Sequence, residues 1–286
     1  MRQSSRHAQP GFTLVEMIVT IVLLGIVASM VAVFIRAPAQ GYSDAVGRAE
    51  MSDLADTVMR RIARDIRIAL PNSVRVSGDG RSIEMLATRT GGRYLREEDG
   101  ASPALPVLDF LRPANTTFTL VGDVPSGKQA IVSGDRVVVF NLGPGYSPAD
   151  AYAGGNSAAV VSVDAASKVV TLASNPFGNQ APPMPSPSGR FQVVSGPVRY
   201  VCAPGANGSG TLRRHSGYAI VPSIATAPAG GVSALAANWV TGCQFNYVSL
   251  ANTRTALVVV TLTLQKPGGA DGPMTLTHQV HVDNTP

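Results

Sequence analysis

The chain begins with one long apolar segment that carries almost no charge. Residues 12–35 contain a single formal charge, Glu16, and Arg36 ends the segment. Because an α-helix rises about 1.5 Å per residue, these residues would span about 36 Å, enough to cross a hydrocarbon core of about 30 Å. A segment that is apolar on every side is typical of a helix in lipid or in a packed bundle.

After this segment, the pattern of apolar and polar residues predicts an amphipathic helix. Pro38 and Gly41 predict a break in the helix, and Ser43 with Asp44 predicts a new helix start. The next residues repeat apolar positions at spacings of three and four, which predicts one apolar stripe that packs on a sheet. Leu70 and Pro71 predict the end of this helix. The stripe consists of Met51, Leu54, Val58, Ile62, Ile66 and Ala69.

From Asn72 onward the pattern changes to short strands separated by turns. The resulting prediction is an α+β fold, in which a long N-terminal helix packs on a C-terminal antiparallel β-sheet domain. Loops rich in proline, glycine and serine at residues 143–156 and 174–189 could mark a subdomain boundary, but no repeat supports a division. The predicted strands are 82–88, 117–121, 136–142, 158–163, 168–173, 190–194, 198–203, 211–215, 244–250, 256–265 and 274–282.

Composition favours a protein that works outside the cytoplasm. Only 14% of the residues are charged, whereas the chain has 29 glycines and 21 prolines. Two of its 23 basic residues, Arg2 and Arg6, precede the apolar segment, and no acidic residue does. Positive residues before a membrane helix stay in the cytoplasm, so the remainder of the chain should face the periplasm. Part of the net charge of +5 is therefore a targeting feature rather than a sign of nucleic-acid binding.

The chain has two cysteines, Cys202 and Cys243, both far from the apolar segment. Two cysteines in an exported domain are candidates for a disulfide bond. The alternative is a pair of buried free thiols.

The residues Gly11, Phe12, Thr13, Leu14, Val15 and Glu16, followed by an apolar helix, resemble the processing site of type IV pilin precursors and type II secretion pseudopilins. This resemblance implies cleavage between Gly11 and Phe12 and methylation of the new Phe12 amine. It also implies that Glu16 acts in assembly, where its carboxylate would pair with the Phe12 amine of a neighbouring subunit. The implied partners are a prepilin peptidase, other pilins or pseudopilins, and an inner-membrane assembly platform.

The same resemblance implies an organisation of the whole chain. Residues 1–11 would be the leader, 12–36 the transmembrane or filament-core helix, 37–70 an amphipathic extension and 71–286 a periplasmic β-rich head. The product would be a single-pass inner-membrane protein with a cytoplasmic N-terminus. Segments 59–67 and 278–284 resemble minor pilins of the mannose-sensitive hemagglutinin (MSHA) pilus, and the first of them also resembles J-type minor pseudopilins of type II secretion.

Two alternative interpretations of the N-terminal region remain open. Ala37, Pro38 and Ala39 have the small-x-small form of an ordinary signal peptidase site, which would leave a secreted binding domain. The apolar segment is longer than the usual 7–15 residues of a signal-peptide core, and Glu16 would then be unexplained. Alternatively, Glu16 could simply reach the headgroup region.

No residue constellation in the sequence predicts catalysis, a cofactor, a metal ion or a small-molecule substrate. Residues 122–128 have phosphate-loop spacing, but Gln129 stands where a magnesium-binding Ser or Thr is needed, so a turn is predicted instead. His278 and His281 are three apart on a predicted strand, which places them on opposite faces. Turns are also predicted at the Asp-Gly pairs that begin at Asp79, Asp99 and Asp271.

A basic flank on the second helical segment is the one feature that could contact DNA. Asp56 and Asp65 interrupt this flank, so pairing within the chain or between subunits is the favoured prediction. Nucleic acid is therefore not an expected partner. The flank consists of Arg60, Arg61, Arg64 and Arg67.

Overall fold

The computed structural model describes residues 11–99, 105–249, 255–268 and 272–286. The chain divides into two compact units, Met1–Glu50 and Met51–Pro286. Of the predicted leader, residues 1–10 lie outside the described part, as does Asp271. The fold is α+β, as predicted, with a long helix and a large antiparallel sheet domain.

One helix, α1 (Leu14–Arg67), covers 54 residues. The predicted break near Pro38 and Gly41 and the predicted helix start at Ser43 are wrong, because the backbone is helical through all three residues. A proline removes a single hydrogen bond from the helix interior. The many bonds on either side of Pro38 outweigh that loss.

The part of α1 that belongs to the second unit packs on the sheet with the predicted stripe. Met51, Val58, Ile62 and Ile66 are all at most 3% exposed, and Leu54 is half-buried. The exposed side of the same helix carries mainly charged residues. The amphipathic pattern therefore identifies correctly which side of this helix packs on the sheet.

Eleven strands follow α1, and every strand pairing is antiparallel. Four short 3-10 helices interrupt the connections, at Glu97–Asp99, Gly127–Gln129, Pro176–Asn179 and Ala206–Gly208. The strands are β1 (Arg75–Val76), β2 (Ser82–Tyr94), β3 (Thr117–Val121), β4 (Arg136–Val138), β5 (Ser157–Asp164), β6 (Val169–Leu172), β7 (Arg190–Ala203), β8 (Gly210–Ser216), β9 (Val232–Ser249), β10 (Thr255–Leu264) and β11 (Met274–Asp283).

The main sheet faces α1. It has the order β1-β2-β7-β8-β9-β10-β11, and its inner face forms one apolar core with the helix. Strand β10 shows the expected alternation, because Val260, Leu262 and Leu264 are buried while Thr261 and Thr263 are partly exposed. This alternation confirms that one face of the β10–β11 hairpin packs in the core and the other faces solvent.

Six strands form a closed ring that the sequence did not reveal. Strands β2, β3, β6, β5, β4 and β7 each pair with the next, and β7 pairs back to β2. All six strands contribute to a second apolar core. Phe177, from a loop predicted to lack regular structure, lies in a 3-10 turn and is fully buried there. The ring is thus a small barrel with its own packed interior.

Several strand predictions differ from the structure: β1 was not predicted, and β2 runs to Tyr94, beyond its predicted end at residue 88. Three other differences have local reasons. Strand β7 continues through Ser195, Gly196 and Pro197 because a bulge absorbs the irregular residue. Strand β4 ends at Val138, shortly before Phe140 takes a positive φ of 51°. Strand β9 begins at Val232, well before the predicted residue 244. The prediction missed its first half because that half is rich in alanine, which strands usually disfavour.

The turn between β1 and β2 shows how tightly the head is assembled. Asp79 accepts hydrogen bonds from Ser77 Oγ at 2.6 Å and from the Arg81 amide at 3.0 Å. Gly80 has φ +68°, and a Cβ atom there would lie 1.9 Å from Gln244 Nε2. The Asp-Gly pair at residue 79 is therefore a turn, as predicted, and only glycine fits its second position.

A disulfide joins Cys202 on β7 to Cys243 on β9, with a Cα–Cα distance of 6.6 Å. These two strands do not pair directly with each other, since β8 lies between them. Both cysteines lie in the core that contacts α1. The bond therefore fixes the part of the sheet on which the helix packs.

Replacing both cysteines by serine should lower the free energy of unfolding by about 4 kcal/mol, the value that the chain-entropy model gives for this loop length. Denaturant unfolding of the full chain in detergent micelles, followed by circular dichroism, measures the change. Reductant should produce a similar shift in the wild type and none in the double variant. Equal unfolding midpoints for wild type and variant would contradict a stabilising disulfide.

Candidate functional site

The candidate site is the stem, defined here as residues 11–35. Gly11 and Phe12 precede α1 outside any regular element and are exposed, with Phe12 77% exposed. Glu16 lies in the first turn of α1 and is also exposed. The predicted cleavage bond between Gly11 and Phe12 therefore lies just outside the helix, in exposed backbone that a protease can reach.

Thr13 is a residue whose role the sequence prediction missed. Its Oγ1 accepts a hydrogen bond from the Glu16 amide at 3.3 Å, and its carbonyl accepts one from the Met17 amide at 3.2 Å. Thr13 is therefore the N-cap of α1, and Glu16 occupies the third helical position. Thr followed three residues later by Glu is the signature of a capping box, and this signal was available in the sequence.

Cleavage after Gly11 would place a new amine one residue before this cap. The N-terminus of a helix carries a partial positive charge, so a cationic amine there is disfavoured and a nearby carboxylate is favoured. Glu16 supplies a carboxylate in the first turn. After such a cleavage, the stem would combine a cation and an anion at the same end of an apolar helix.

The remaining polar side chains of the stem are satisfied within the helix. Thr20 donates to the Met17 carbonyl at 2.9 Å, and Ser29 donates to the Ile26 carbonyl at 2.7 Å. Within the described residues, the Glu16 carboxylate has no hydrogen-bond or ion-pair partner. Because isolated charge is costly in an apolar environment, Glu16 is the group in the stem that most needs an external partner.

The stem meets the requirements for a membrane span. Leu14–Ile35 is a 22-residue stretch with a mean hydropathy of 2.9, and none of it is buried within the protein. A helix of this length reaches about 33 Å, slightly more than the hydrocarbon thickness of a bilayer. Large apolar side chains are exposed along its entire length.

Comparison with known protein families matches residues 6–32 to the prokaryotic N-terminal methylation motif. In these N-terminal residues the chain is type IV pilin-like. The matched residues include the Gly11–Phe12 bond, Glu16 and most of the stem. Comparisons with curated proteins and with solved structures find no match. The motif implies processing by a prepilin peptidase and assembly with other pilins.

In the basic flank of α1, Arg60 and the two acidic residues that interrupt the flank make contacts within the chain. Arg60 pairs with Asp56, and this hydrogen bond lowers the pKa of the Asp56 carboxyl. Asp65 accepts hydrogen bonds from Arg214 Nε and from the Tyr200 hydroxyl, both at 2.7 Å. Arg60 therefore makes a predicted pairing within the chain, whereas Asp65 is bound by residues outside the flank.

The other predicted positions also have structural explanations. Residues 122–128 lead into a single 3-10 turn, and in the described part of the chain no α-helix follows them. His278 lies on the core-facing side of β11, whereas His281 lies on its exposed side. The two histidines therefore point to opposite faces, as predicted.

Replacing Thr13 by valine should weaken the start of α1. Loss of an N-cap costs about 1 kcal/mol, so the Glu16 amide should exchange its hydrogen about five-fold faster. Hydrogen exchange of the full chain in detergent micelles measures this rate. Thr20→Val is the matched control, because that hydroxyl donates to a carbonyl and caps nothing. Equal exchange at Glu16 in both variants would contradict the cap.

Proposed function

We propose that this protein is a minor pilin-like subunit. After leader cleavage and N-methylation it would be incorporated into a type IV pilus of the MSHA type or initiate its assembly. The observation that carries the proposal is the Glu16 carboxylate, which has no partner among the described residues. It lies in the first turn of an exposed apolar helix that bears the methylation motif.

Charge pairing between stems explains how such a subunit would assemble. In a low-dielectric environment, a carboxylate and an ammonium attract each other strongly. Each also loses hydration there, and a close ion pair offsets part of that cost. Glu16 of one stem beside the Phe12 amine of a neighbouring stem would satisfy both groups. The apolar side chains along the remainder of the stem would then pack against neighbouring stems.

A structural rather than an enzymatic role is part of this proposal, and the size of the head supports it. The residues after α1 build both a main sheet and a barrel. A large head suits a subunit present in few copies, which starts or caps a filament rather than forming its shaft.

The finer assignment, to an MshO-like minor pilin, rests on segments 59–67 and 278–284. In the first segment, Met59, Ile62 and Ile66 pack in the core. In the second, Asn284 accepts a hydrogen bond from the Asn72 amide at 3.1 Å and donates one to Tyr247 at 3.0 Å. Both segments therefore have packing roles in this chain. The first segment also resembles J-type minor pseudopilins of type II secretion, which is the alternative assignment.

The proposed localisation follows from the stem and the charges before it. The protein would cross the inner membrane once, with Arg2 and Arg6 on the cytoplasmic side and the head in the periplasm. An inner-membrane assembly platform would be a further partner. The disulfide between Cys202 and Cys243 agrees with an oxidising compartment such as the periplasm.

Deleting the gene in its host should abolish surface filaments, and the wild-type gene should restore them. Glu16→Gln should restore them at least about ten-fold less well, since breaking a buried ion pair costs about 3–5 kcal/mol. Counting filaments by electron microscopy and measuring the subunit in sheared filament fractions test this prediction.

Asp53→Asn is the matched control, because Asp53 is an exposed carboxylate on the same helix outside the stem. It should restore filaments fully. A deletion that stops protein secretion but leaves filaments intact would favour the pseudopilin instead. Full restoration by Glu16→Gln would overturn the assembly role of this carboxylate.

A further inference from the structure

A pocket of about 370 Å³ lies in the head, where the barrel meets the main sheet. The pocket exists because two different strands pair with the same edge of β7 and leave a gap between them. On the edge of β7 away from β2, strand β4 pairs as far as Val194 and strand β8 begins pairing at Val198. Residues 195–197 therefore have no strand partner on that edge. The gap is lined by these residues, by β4 and by the chain that follows β8.

Arg136 is the only charged residue among those that line this pocket. Its Nε donates to Ser157 Oγ at 2.7 Å, and its Nη2 donates to the Ser157 carbonyl at 2.8 Å. No carboxylate of the described residues pairs with it, and Nη1 makes no hydrogen bond there. Burial lowers the pKa of this guanidinium. Arg136 is thus a half-buried cation with one edge of its guanidinium still able to donate.

The acidic side chains close to this region in the chain or the fold are already engaged. Asp135 pairs with Arg89 at 2.8 Å. Asp150 accepts hydrogen bonds from backbone amides, including that of Tyr152 at 2.9 Å. Glu84 is fully buried between two arginines. An anion that enters the pocket would therefore meet Arg136 without a competing counter-ion.

Two tyrosines form aromatic walls of the pocket. The Tyr152 hydroxyl donates to the Ser73 carbonyl at 2.9 Å, and the Tyr218 hydroxyl donates to Glu84 Oε2 at 2.7 Å. Burial raises the pKa of both phenols, so both keep the protons that they donate. Because the hydroxyls are committed elsewhere, these residues offer the pocket their rings rather than their polar groups.

A buried ionic cluster holds one wall in place. Arg75 donates to Glu84 and to the carbonyls of Val221 and Pro222, at 2.8 and 2.6 Å to the carbonyls. Arg199 donates to Glu84 Oε2 at 2.6 Å and to the Thr226 carbonyl at 2.7 Å. The loop that carries Tyr218, Ala219 and Ile220 is therefore fixed at three carbonyls. A pocket with fixed walls loses little entropy when a ligand binds.

We propose that this pocket binds a small ring-shaped ligand through its carboxylate, with Arg136 as the partner of the anion. A guanidinium edge and a carboxylate form two parallel hydrogen bonds. A phosphate usually takes several cations or amides, whereas this pocket offers one cation and apolar or aromatic walls. Its volume lies at the lower end of the range for small-molecule sites and fits a single ring. Uronic acids and aromatic acids both have this chemistry.

Isothermal titration of the full chain in detergent micelles tests the proposal. Glucuronate and benzoate are the two probes, each compared with its uncharged amide, and inorganic phosphate is the third anion. At least one carboxylate should bind saturably, and its amide should bind at least about ten-fold more weakly, as expected for a hydrogen bond to a charged group. The stronger of the two acids identifies whether the ring is a sugar or an aromatic.

Arg136→Gln should weaken carboxylate binding at least about ten-fold. Arg213→Gln is a close control, because Arg213 binds Ser233 through the same Nε and Nη2 atoms on an exposed surface. It should leave binding unchanged. Ala219→Trp should also block the pocket, and it changes only an exposed loop residue that lines it. This variant keeps the test decisive if Arg136→Gln does not fold.

Three results would overturn the proposal: no saturable binding of either acid, equal binding of acid and amide, or binding that survives both Arg136→Gln and Ala219→Trp. Phosphate binding more tightly than both acids would overturn the carboxylate assignment. None of these results bears on assembly through the stem, because the pocket lies wholly within the head.

Discussion

A single carboxylate inside an apolar helix is the constraint on which the account of this protein depends. Glu16 is the one formal charge between residues 12 and 35, and among the described residues nothing pairs with it. A charge in an apolar environment needs a partner of opposite sign, and here the partner has to come from outside the folded chain. The Thr13 cap starts the helix one residue after Phe12, so the new amine that the proposed cleavage would produce at Phe12 would lie beside the same helix end. The motif for cleavage and methylation and the Glu16 carboxylate therefore lie at the same end of the same helix.

The head is held together by different forces. One apolar core joins the second part of α1 to the main sheet, and a second core fills the barrel. The disulfide and the cluster around Glu84 connect strands and loops that backbone pairing leaves separate. Where pairing along β7 passes from β4 to β8, a gap remains, and Arg136 lies in it. The same topology that joins barrel and sheet therefore creates the pocket.

The parts of the fold that follow from local periodicity could be predicted. The stripe from Met51 to Ala69 and the alternation along Val260 to Leu264 both depend on the side-chain repeat of one element, and both are present. The continuity of α1 through Pro38 could not be predicted, because it depends on the balance between one lost hydrogen bond and a long helix. The sequence predicted two strands in place of β7, divided at Gly196 and Pro197. A bulge keeps these residues in a single strand, and no local pattern predicts that bulge. The closed ring depends on which distant strands pair, and no local pattern encodes that. The Thr13 cap, by contrast, was readable from its spacing to Glu16.

The most direct test of the central claim is the identity of the mature N-terminus. Mass spectrometry of the protein purified from membranes of its own host would determine it. The account predicts a chain that begins at Phe12 and carries a methyl group on its amine. A chain that begins at Gln40 would instead indicate an ordinary signal peptidase and a secreted domain. That result, or a chain that retains Met1 in a host with an active prepilin peptidase, would contradict assembly through Glu16.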